Sequence, residues 1–221
     1  MSKVGIIEYN KLEIGDDLMR NNIYLRKWEC PLPSLTNGWH MFRDCTNLNS
    51  FSSDLPSLTN GSNMFRGCEN LNSFSSYLSK LTNGYLMFYN CSNLTSFSSN
   101  LPSLTNGEYM FQDCSNLTSF TSNLSNLLGG FYMFYNCKLD TKSLRNIADT
   151  INDISGLDKD IDEHWTYEVL GETKTISPKL QRGRINIGHG IDIGENVINE
   201  CGNTLIDKGW TVYFNGNEFK K

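Results

Sequence analysis

The chain has 221 residues, of which 19 are Lys or Arg and 24 are Asp or Glu, so its formal net charge is −5. This length suits one large domain or two small ones. The acidic balance gives no basic footprint for nucleic acid or for an anionic membrane surface, and no apolar run approaches the roughly 20 residues of a membrane-spanning helix. The start, Met1 to Glu8, lacks the long apolar stretch of a signal peptide, so export by the ordinary route is not expected.

A motif with the pattern LPSLTNGxxMFxxCxNLxSFSSx recurs along the chain with a period of 23 residues. Its copies start at Leu32, Leu55, Leu78 and Leu101, and a degraded copy starts at Leu124. A repeat of this length predicts one supersecondary unit that stacks on copies of itself. Solenoids of this kind generally present surfaces to partners, so the repeat favours recognition over catalysis.

The same register extends upstream of the clear copies. Residues 12–30 follow the pattern of residues 35–53, with Trp28 at an inward aromatic position. In this alignment Cys30 also takes an inward position, so it is expected to be buried. Terminal repeats are atypical because one face meets water. We therefore expect an N-terminal capping repeat over residues 1–30 and the array proper over residues 31–137.

Each copy is predicted to contain one short strand and about two helical turns. In the copy at residues 55–77, the strand is centred on Phe74, and Phe74 and Ser76 face inward. Apolar residues at helical spacing after Gly61 predict the helical turns. Stacked copies then form an α/β solenoid of 23-residue strand–helix units, with a parallel sheet and columns of Leu and Phe in its core.

Five of the seven cysteines take the same position in successive copies, namely Cys45, Cys68, Cys91, Cys114 and Cys137. Equivalent side chains on stacked coils lie parallel, about 5 Å apart, whereas a disulfide needs side chains that turn toward each other. Buried Cys also packs as a small hydrophobe. The column is therefore predicted to be core packing, and the sequence contains no CxxC pair that would favour a zinc site.

The repeat pattern fails after Cys137, and residues 138–221 are predicted to form an α/β C-terminal cap. Periodicity predicts its elements in the order helix 140–155, strand 184–188, helix 195–208 and strand 210–214. A protruding hairpin is predicted near residues 157–182. This cap is expected to cover the apolar end of the stack and the open edge of its sheet.

Two motifs in this region resemble ligand-binding sequences. The acidic run Asp158–Asp162 has calcium-like spacing, but an EF-hand loop needs Gly and Glu where this chain has Glu163 and Val169. The glycines of Gly188–Gly194 are spaced differently from those of a dinucleotide site. No histidine stands beside a nucleophile in the sequence. We therefore expect a solvated loop and a turn, with no catalytic residues, metal site or cofactor.

The repeat resembles a known family through the pattern Cys45-x-x-Leu48-x-x-Phe51, Leu55-Pro56 and Gly61-x-x-Met64-Phe65-x-x-Cys68. This pattern is similar to the bacterial leucine-rich repeats of the BspA-like, or Treponema, type, and the likeness covers residues 12–137. The family usually has a second apolar strand residue where this chain has Ser53, Ser76 and Ser99, which implies a thinner core or an inward ladder of hydroxyls. The resemblance implies a surface-exposed adhesion or recognition protein, located on a cell surface or a virion.

The copies differ from one another at two pairs of positions, one after the repeated Gly and one after the repeated Phe. These pairs hold most of the aromatic and Arg residues that are expected to be exposed, which are the types favoured at interface anchors. The candidate partner-binding residues are Trp39, His40, Arg43, Arg66, Tyr85, Tyr89, Tyr109, Phe131, Tyr132 and Tyr135.

Two classes of function stay open from the sequence. The first is a non-enzymatic recognition or adhesion module that binds a protein or a surface glycan through this variable face. The second is a structural component of a larger assembly or homo-oligomer, such as a phage virion decoration or fibre protein. Neutral variation, with the aromatic side chains packed on the neighbouring coil, is the alternative explanation of the variable pairs.

Overall fold

The computed structural model describes residues 9–157, 166–169, 172–175, 183–187, 194–215 and 217–221. After a 3-10 turn at Tyr9–Lys11, the repeat region contains the strands β1 Lys27–Trp28, β2 Ser50–Ser52, β3 Ser73–Ser75, β4 Ser96–Phe97, β5 Ser119–Phe120 and β6 Gly130–Phe134. The elements that follow are α1 Thr141–Thr150, β7 Thr166–Val169, β8 Glu172–Thr175, β9 Arg184–Ile187, α2 Glu195–Asp207, β10 Thr211–Phe214 and β11 Asn217–Glu218.

The short strands pair in parallel, each with its equivalent in the next repeat. Ser50 lies opposite Ser73, and Ser96 lies opposite Ser119. A second column of parallel bridges joins the Asn residues that precede the repeated Gly, and it begins upstream with Ile14 opposite Asn37. These pairings confirm the parallel α/β repeat fold and the upstream extension of the register.

Columns of identical side chains form the core. The rings of the buried Phe42, Phe65 and Phe88 stack with neighbouring centroids 5.4 Å apart. The strand column packs edge-to-face against them, as Phe51 does on Phe65 at 4.8 Å. Such aromatic pairs contribute about 0.5–1.5 kcal/mol each beyond the burial of their surface.

The repeated cysteines are buried within this core, as predicted. Each thiol donates to a backbone carbonyl of the preceding repeat, as Cys68 Sγ does to Phe42 O at 3.1 Å. The prediction that Cys30 is buried is wrong, because it belongs to the first coil, and no described coil covers that end of the stack. The inward hydroxyl ladder forms in part, since Ser53 Oγ donates to Cys30 O at 2.8 Å and Ser122 Oγ donates to Ser99 O at 2.6 Å.

The segments that follow each repeated Gly are not helical, contrary to the prediction. They are runs of tight turns in which alternate N–H groups bond within the segment and across to the next repeat. Met41 N donates to Gly38 O at 3.0 Å, whereas Phe42 N donates to Met64 O at 2.9 Å. The neighbouring coil therefore satisfies backbone groups that a helix would satisfy internally. The apolar spacing still directs Met, Phe and Cys inward.

The C-terminal elements continue both sides of the array. Strand β6 pairs in parallel with β9, so the sheet β11-β10-β9-β6 extends the column of turns. Helix α1 instead covers the edge of β5, where Asp140 N donates to Thr118 O at 2.8 Å. The predicted hairpin has β7 antiparallel to β8, with its tip and flanks outside the described residues. We propose that residues 138–221 act as the cap of the array.

Candidate recognition surface

The variable pairs lie together on one surface, which we call the turn face: the two residues after each repeated Gly and the two after each repeated Phe. Its backbone is held by bonds between repeats, such as Asp44 N to Arg66 O at 2.7 Å and Asn63 N to Tyr85 O at 2.9 Å. Each turn thus has a fixed position relative to its neighbours. Variable side chains are therefore displayed on a constant and rigid support.

An asparagine column beside the turns strengthens this support. Asn60 Nδ2 donates to Asn37 Oδ1 at 2.8 Å, and Asn83 Nδ2 donates to Asn60 Oδ1 at 3.2 Å. The same Oδ1 of Asn60 accepts the N–H of Ser62 at 3.1 Å, which fixes the start of the turn. At the N-terminal end, Asn37 Nδ2 reaches Asp16 Oδ1 at 2.9 Å. These asparagines thus bond to one another along the column and to the backbone at the start of the turn.

The candidate residues are less exposed than the sequence suggested. His40 is buried, and the other nine are half-buried. Several of the rings contact a ring of the adjacent coil, as Tyr109 does with Tyr85 and Tyr132. The turn face therefore presents edges and parts of rings, and the alternative that the aromatic side chains pack on the neighbouring coil describes part of the arrangement.

Five of the candidates form one continuous group at the C-terminal end of the turn face, which we call the aromatic cluster: Tyr85, Tyr109, Phe131, Tyr132 and Tyr135. Tyr109 is at its centre, edge-to-face with Tyr85 at 5.7 Å and stacked on Tyr132 at 5.6 Å. Tyr132 also meets Tyr135 at 5.0 Å. Burial, with the neighbouring Tyr109 and the carboxylate of the buried Glu108, raises the pKa of Tyr85 to about 12, so this phenol stays neutral.

The remaining candidates form two smaller groups. The Arg66 guanidinium lies 5.1 Å above the ring of Tyr89, a cation–π arrangement. In the second group Trp39 stacks on His40 with centroids 4.0 Å apart, and Arg43 Nη1 lies 3.3 Å from His40 Nε2.

His40 is neutral at physiological pH. Burial is the largest cause that lowers its pKa, to about 4, and the Arg43 charge adds to this against the opposing effect of Asp17. A neutral ring can accept the Arg43 proton at Nε2, which agrees with the observed contact.

The left-handed backbone of the turn face is a feature that sequence reasoning missed. The second residue of the pair after each Phe has a positive φ in the four clear copies and in the degraded one: Asp44, Gly67, Asn90, Asp113 and Asn136. Gly, Asn and Asp tolerate this conformation best. The restriction of this position to those three residue types was the available signal, and it explains the variation there without any partner.

The second residue after each repeated Gly is also left-handed, but it does not follow the same rule. Leu86, Tyr109 and Tyr132 have φ values of 56°, 59° and 55°. A left-handed conformation costs an ordinary residue about 1–2 kcal/mol relative to its preferred one. Backbone strain of this kind concentrates at functional sites. Large side chains therefore occupy a position whose backbone conformation favours Gly or Asn.

A family model for the BspA-type leucine-rich repeat region matches residues 6–71 and 37–155, with six copies. The chain belongs to the BspA-type leucine-rich repeat family. No curated protein and no solved structure matches the chain. BspA-type repeats suggest a protein-interaction or adhesion module, and leucine-rich repeat proteins are typically not enzymes.

Metal centres and membrane spans are two further features that the described residues could contain. In the part of the chain that the structure describes, no group of three or more His, Cys, Asp or Glu residues is placed to hold a metal ion. No helix among the described residues is long and apolar enough to cross a membrane. The acidic run Asp158–Asp162 and the glycine motif from Gly188 to Ile193 lie outside the described residues.

Proposed function

We propose that this BspA-type protein is a non-enzymatic recognition module that binds a protein partner through its turn face. The observation that carries the proposal is the arrangement of the variation: a constant framework places large, variable side chains on one surface. The rest of the repeat, including its core columns and its Asn and Cys ladders, barely changes between copies.

The physical properties of the turn face suit binding. Half-buried Tyr rings that already contact each other lose little side-chain freedom when a partner docks, so less binding energy is spent on ordering them. Tyr and Arg are also the residue types that most often dominate binding energy at interfaces. The aromatic cluster and the Arg66–Tyr89 pair provide both types on a fixed backbone.

Affinity capture with paired variants tests the proposal. The wild-type protein, coupled to beads, is presented with membrane and surface extracts of cells that express it, and retained proteins are quantified by mass spectrometry. The variant Arg66→Ser/Tyr89→Ser removes one pair from the turn face with little effect on the core. We expect it to reduce the retained partner by about tenfold or more, which corresponds to the loss of one anchor.

A matched control removes the same residue types elsewhere. Tyr24 and Arg26 are exposed in the first repeat, between its turn-face positions and β1, and neither is a turn-face residue. Tyr24→Ser/Arg26→Ser is expected to retain the partner at the wild-type level. The proposal is wrong if the control variant loses the partner while the turn-face variant keeps it, with both variants melting cooperatively.

A second candidate function, a structural component of a larger assembly, is favoured by a different observation. The first repeat leaves large apolar side chains exposed, with Ile14 at 44%, Leu18 at 41%, Ile23 at 49% and Tyr24 at 87% of their accessible surface. Sedimentation at several concentrations tests this candidate. Concentration-dependent oligomers that disappear in Ile23→Ser/Tyr24→Ser support it, and a monomer at all concentrations contradicts it.

A further inference from the structure

The surface of the strand side opens at one place. Strands β1, β2 and β3 form one sheet and β4 and β5 form another, and no strand pairing joins β3 to β4 in the described structure. A cleft of about 330 Å³ lies at this break. Beneath it the core is intact, because the rings of Phe74 and Phe97 still stack at 5.8 Å. The cleft is therefore a surface feature between two repeats that remain packed together.

Hydrogen bonds to neighbouring repeats hold the second half of the cleft's first wall, which is formed by residues 74–79. Tyr77 O accepts the N–H of Leu55 at 3.2 Å, and Ser79 O accepts the hydroxyl of Ser103 at 2.8 Å. Residues 98–100 and Pro102 form the opposite wall. The cleft is thus preformed, as small-molecule sites usually are, and its volume lies at the lower end of their range.

The wall residues differ from their equivalents in the other repeats. Tyr77 is 67% exposed, and the same position holds Pro31, Asp54, Asn100 and Asn123 in the other copies. Phe74 is partly exposed, whereas Phe51, Phe97 and Phe120 in its column are buried. The third repeat therefore offers an aromatic surface here that the other repeats lack.

One hydroxyl at the cleft differs from its equivalents in its bonding. Ser53 and Ser122 donate their hydroxyls to carbonyls of the preceding repeat, but the equivalent Ser76 Oγ is buried and has no hydrogen-bond partner among the residues that the structure describes. Because no bond holds it, rotation about χ1 can turn this hydroxyl toward a ligand. An unpaired buried hydroxyl is costly, so a ligand that bonds to it gains that free energy.

We propose that this cleft binds a neutral hexopyranose ring. Tyr77 supplies an aromatic face for the C–H face of the sugar, while Ser75, Ser76 and Ser98 supply hydroxyls and Asn100 supplies an amide. None of the described residues that line the cleft is charged, so a neutral ligand fits better than an ionic one. The site is separate from the turn face and does not depend on the function proposed for it.

NMR titration with simple sugars tests the proposal. The probes are the methyl glycosides of glucose, galactose, mannose and N-acetylglucosamine, each up to about 100 mM, because a single sugar in an open cleft binds weakly. At least one is expected to shift the amide signals of residues 75–79 and 98–100 saturably, with a millimolar dissociation constant. Glucuronic acid and tryptophan amide serve as charged and aromatic comparison probes.

Paired variants separate binding from folding. Tyr77→Asn, which introduces the residue found at this position in the next repeat, is expected to weaken binding by about tenfold, and Tyr24→Asn, which removes another exposed Tyr, is expected to leave it unchanged. Ser76→Ala is expected to weaken sugar binding without lowering stability. Ser53→Ala is expected to lower stability and leave binding unchanged.

The result that overturns the proposal is equally specific. It is wrong if none of the four neutral sugars produces saturable shifts, or if tryptophan amide or glucuronic acid binds the cleft more tightly than all of them. It is also wrong if Tyr77→Asn and Tyr24→Asn change sugar binding equally. None of these outcomes bears on the capture of a protein partner by the turn face, so the two proposals fail independently.

Discussion

At the scale of single residues, the constant positions of the repeat are explained by what the next coil places against them. A Cβ atom on Gly61 would lie 2.8 Å from Met87 Sδ, and one on Gly84 would lie 2.8 Å from Met110 Sδ. The repeated Gly therefore leaves room for the Met of the following coil. Among the variable positions, by contrast, the second residue of each pair meets a different constraint, which is its left-handed backbone.

Leu86 provides a test of this backbone restriction. Its φ of 56° is unfavourable for Leu, whereas the equivalent residue of the preceding repeat is Asn63. Leu86→Asn is expected to be more stable than Leu86→Ala by about 1 kcal/mol. Both variants remove the Leu side chain, but only Asn tolerates the left-handed region. Urea unfolding of the two variants measures the difference, and equal stabilities would contradict the account.

The buried thiols predict how stability depends on pH. Burial raises the pKa of Cys91 and of Cys114 well above the usual value of a thiol. Above about pH 9 the unfolded thiols ionise while the folded ones stay protonated, so stability falls as pH rises. Each such thiol contributes a slope of about 1.4 kcal/mol per pH unit.

A double serine variant isolates this contribution. Cys91→Ser/Cys114→Ser retains a donor to the same carbonyls and removes two titrating groups. Between about pH 9 and pH 11, we expect its free energy of unfolding to decline less steeply than that of the wild type. The difference between the two slopes should equal the combined contribution of two thiols. At about pH 7 the difference between the proteins should not depend on pH. Parallel curves throughout the alkaline range would show that the thiols are not the cause.

At the scale of elements, the C-terminal segments fit the array through particular contacts. Ser143 of α1 accepts the N–H of Phe120 at 2.8 Å and donates to Thr118 O at 3.2 Å, so one side chain completes the edge of β5. Asp140 Oδ1 caps the same helix by accepting from Ser143 N at 2.7 Å. At the other end of this region, Gly209 ends α2 with a φ of 85°.

Gly209 is the sharpest test of how α2 is joined to the fold. A Cβ atom there would lie 2.6 Å from the backbone of Ser155, and the positive φ is itself unfavourable for Ala. Gly209→Ala is therefore expected to cost about 2 kcal/mol or more. Gly156→Ala is the matched control, because its Cβ atom would meet no described atom within 4 Å. Thermal unfolding that gives equal losses for both would contradict the described packing.

At the scale of the whole molecule, the sequence predicted the features that every repeat shares. It did not predict the features that depend on contacts between repeats. The spacing of Cys45 and its equivalents was sufficient to place the core column and the register. Helical turns were predicted because apolar residues at i, i+3 and i+4 are typical of a helix, but the tight turns suit the same spacing. The hydrogen bonds that distinguish the two conformations, such as Phe42 N to Met64 O, join residues far apart in sequence. The break beside Tyr77 is a loss of strand pairing between two repeats, and although Tyr77 itself departs from the repeat, the pattern does not show where pairing stops.

The candidate surface could be predicted in outline, because comparison of the copies identified the variable positions. Its grouping could not be predicted. Tyr85, Tyr109 and Tyr132 come from three repeats, and only the stacking distance between coils determines that their rings touch. The half-burial of these rings likewise depends on contact between coils, since Tyr109 meets a ring of each adjacent repeat.

Site-specific photo-crosslinking in the cells that express the protein tests the central claim most directly. A benzophenone amino acid replaces Tyr89 on the turn face in one variant and the exposed Ser52 of β2 in another. After irradiation, the account predicts a discrete covalent adduct with a second protein from position 89 and none from position 52. A discrete adduct from position 52 alone would place the partner on the strand side and contradict the assignment of recognition to the turn face.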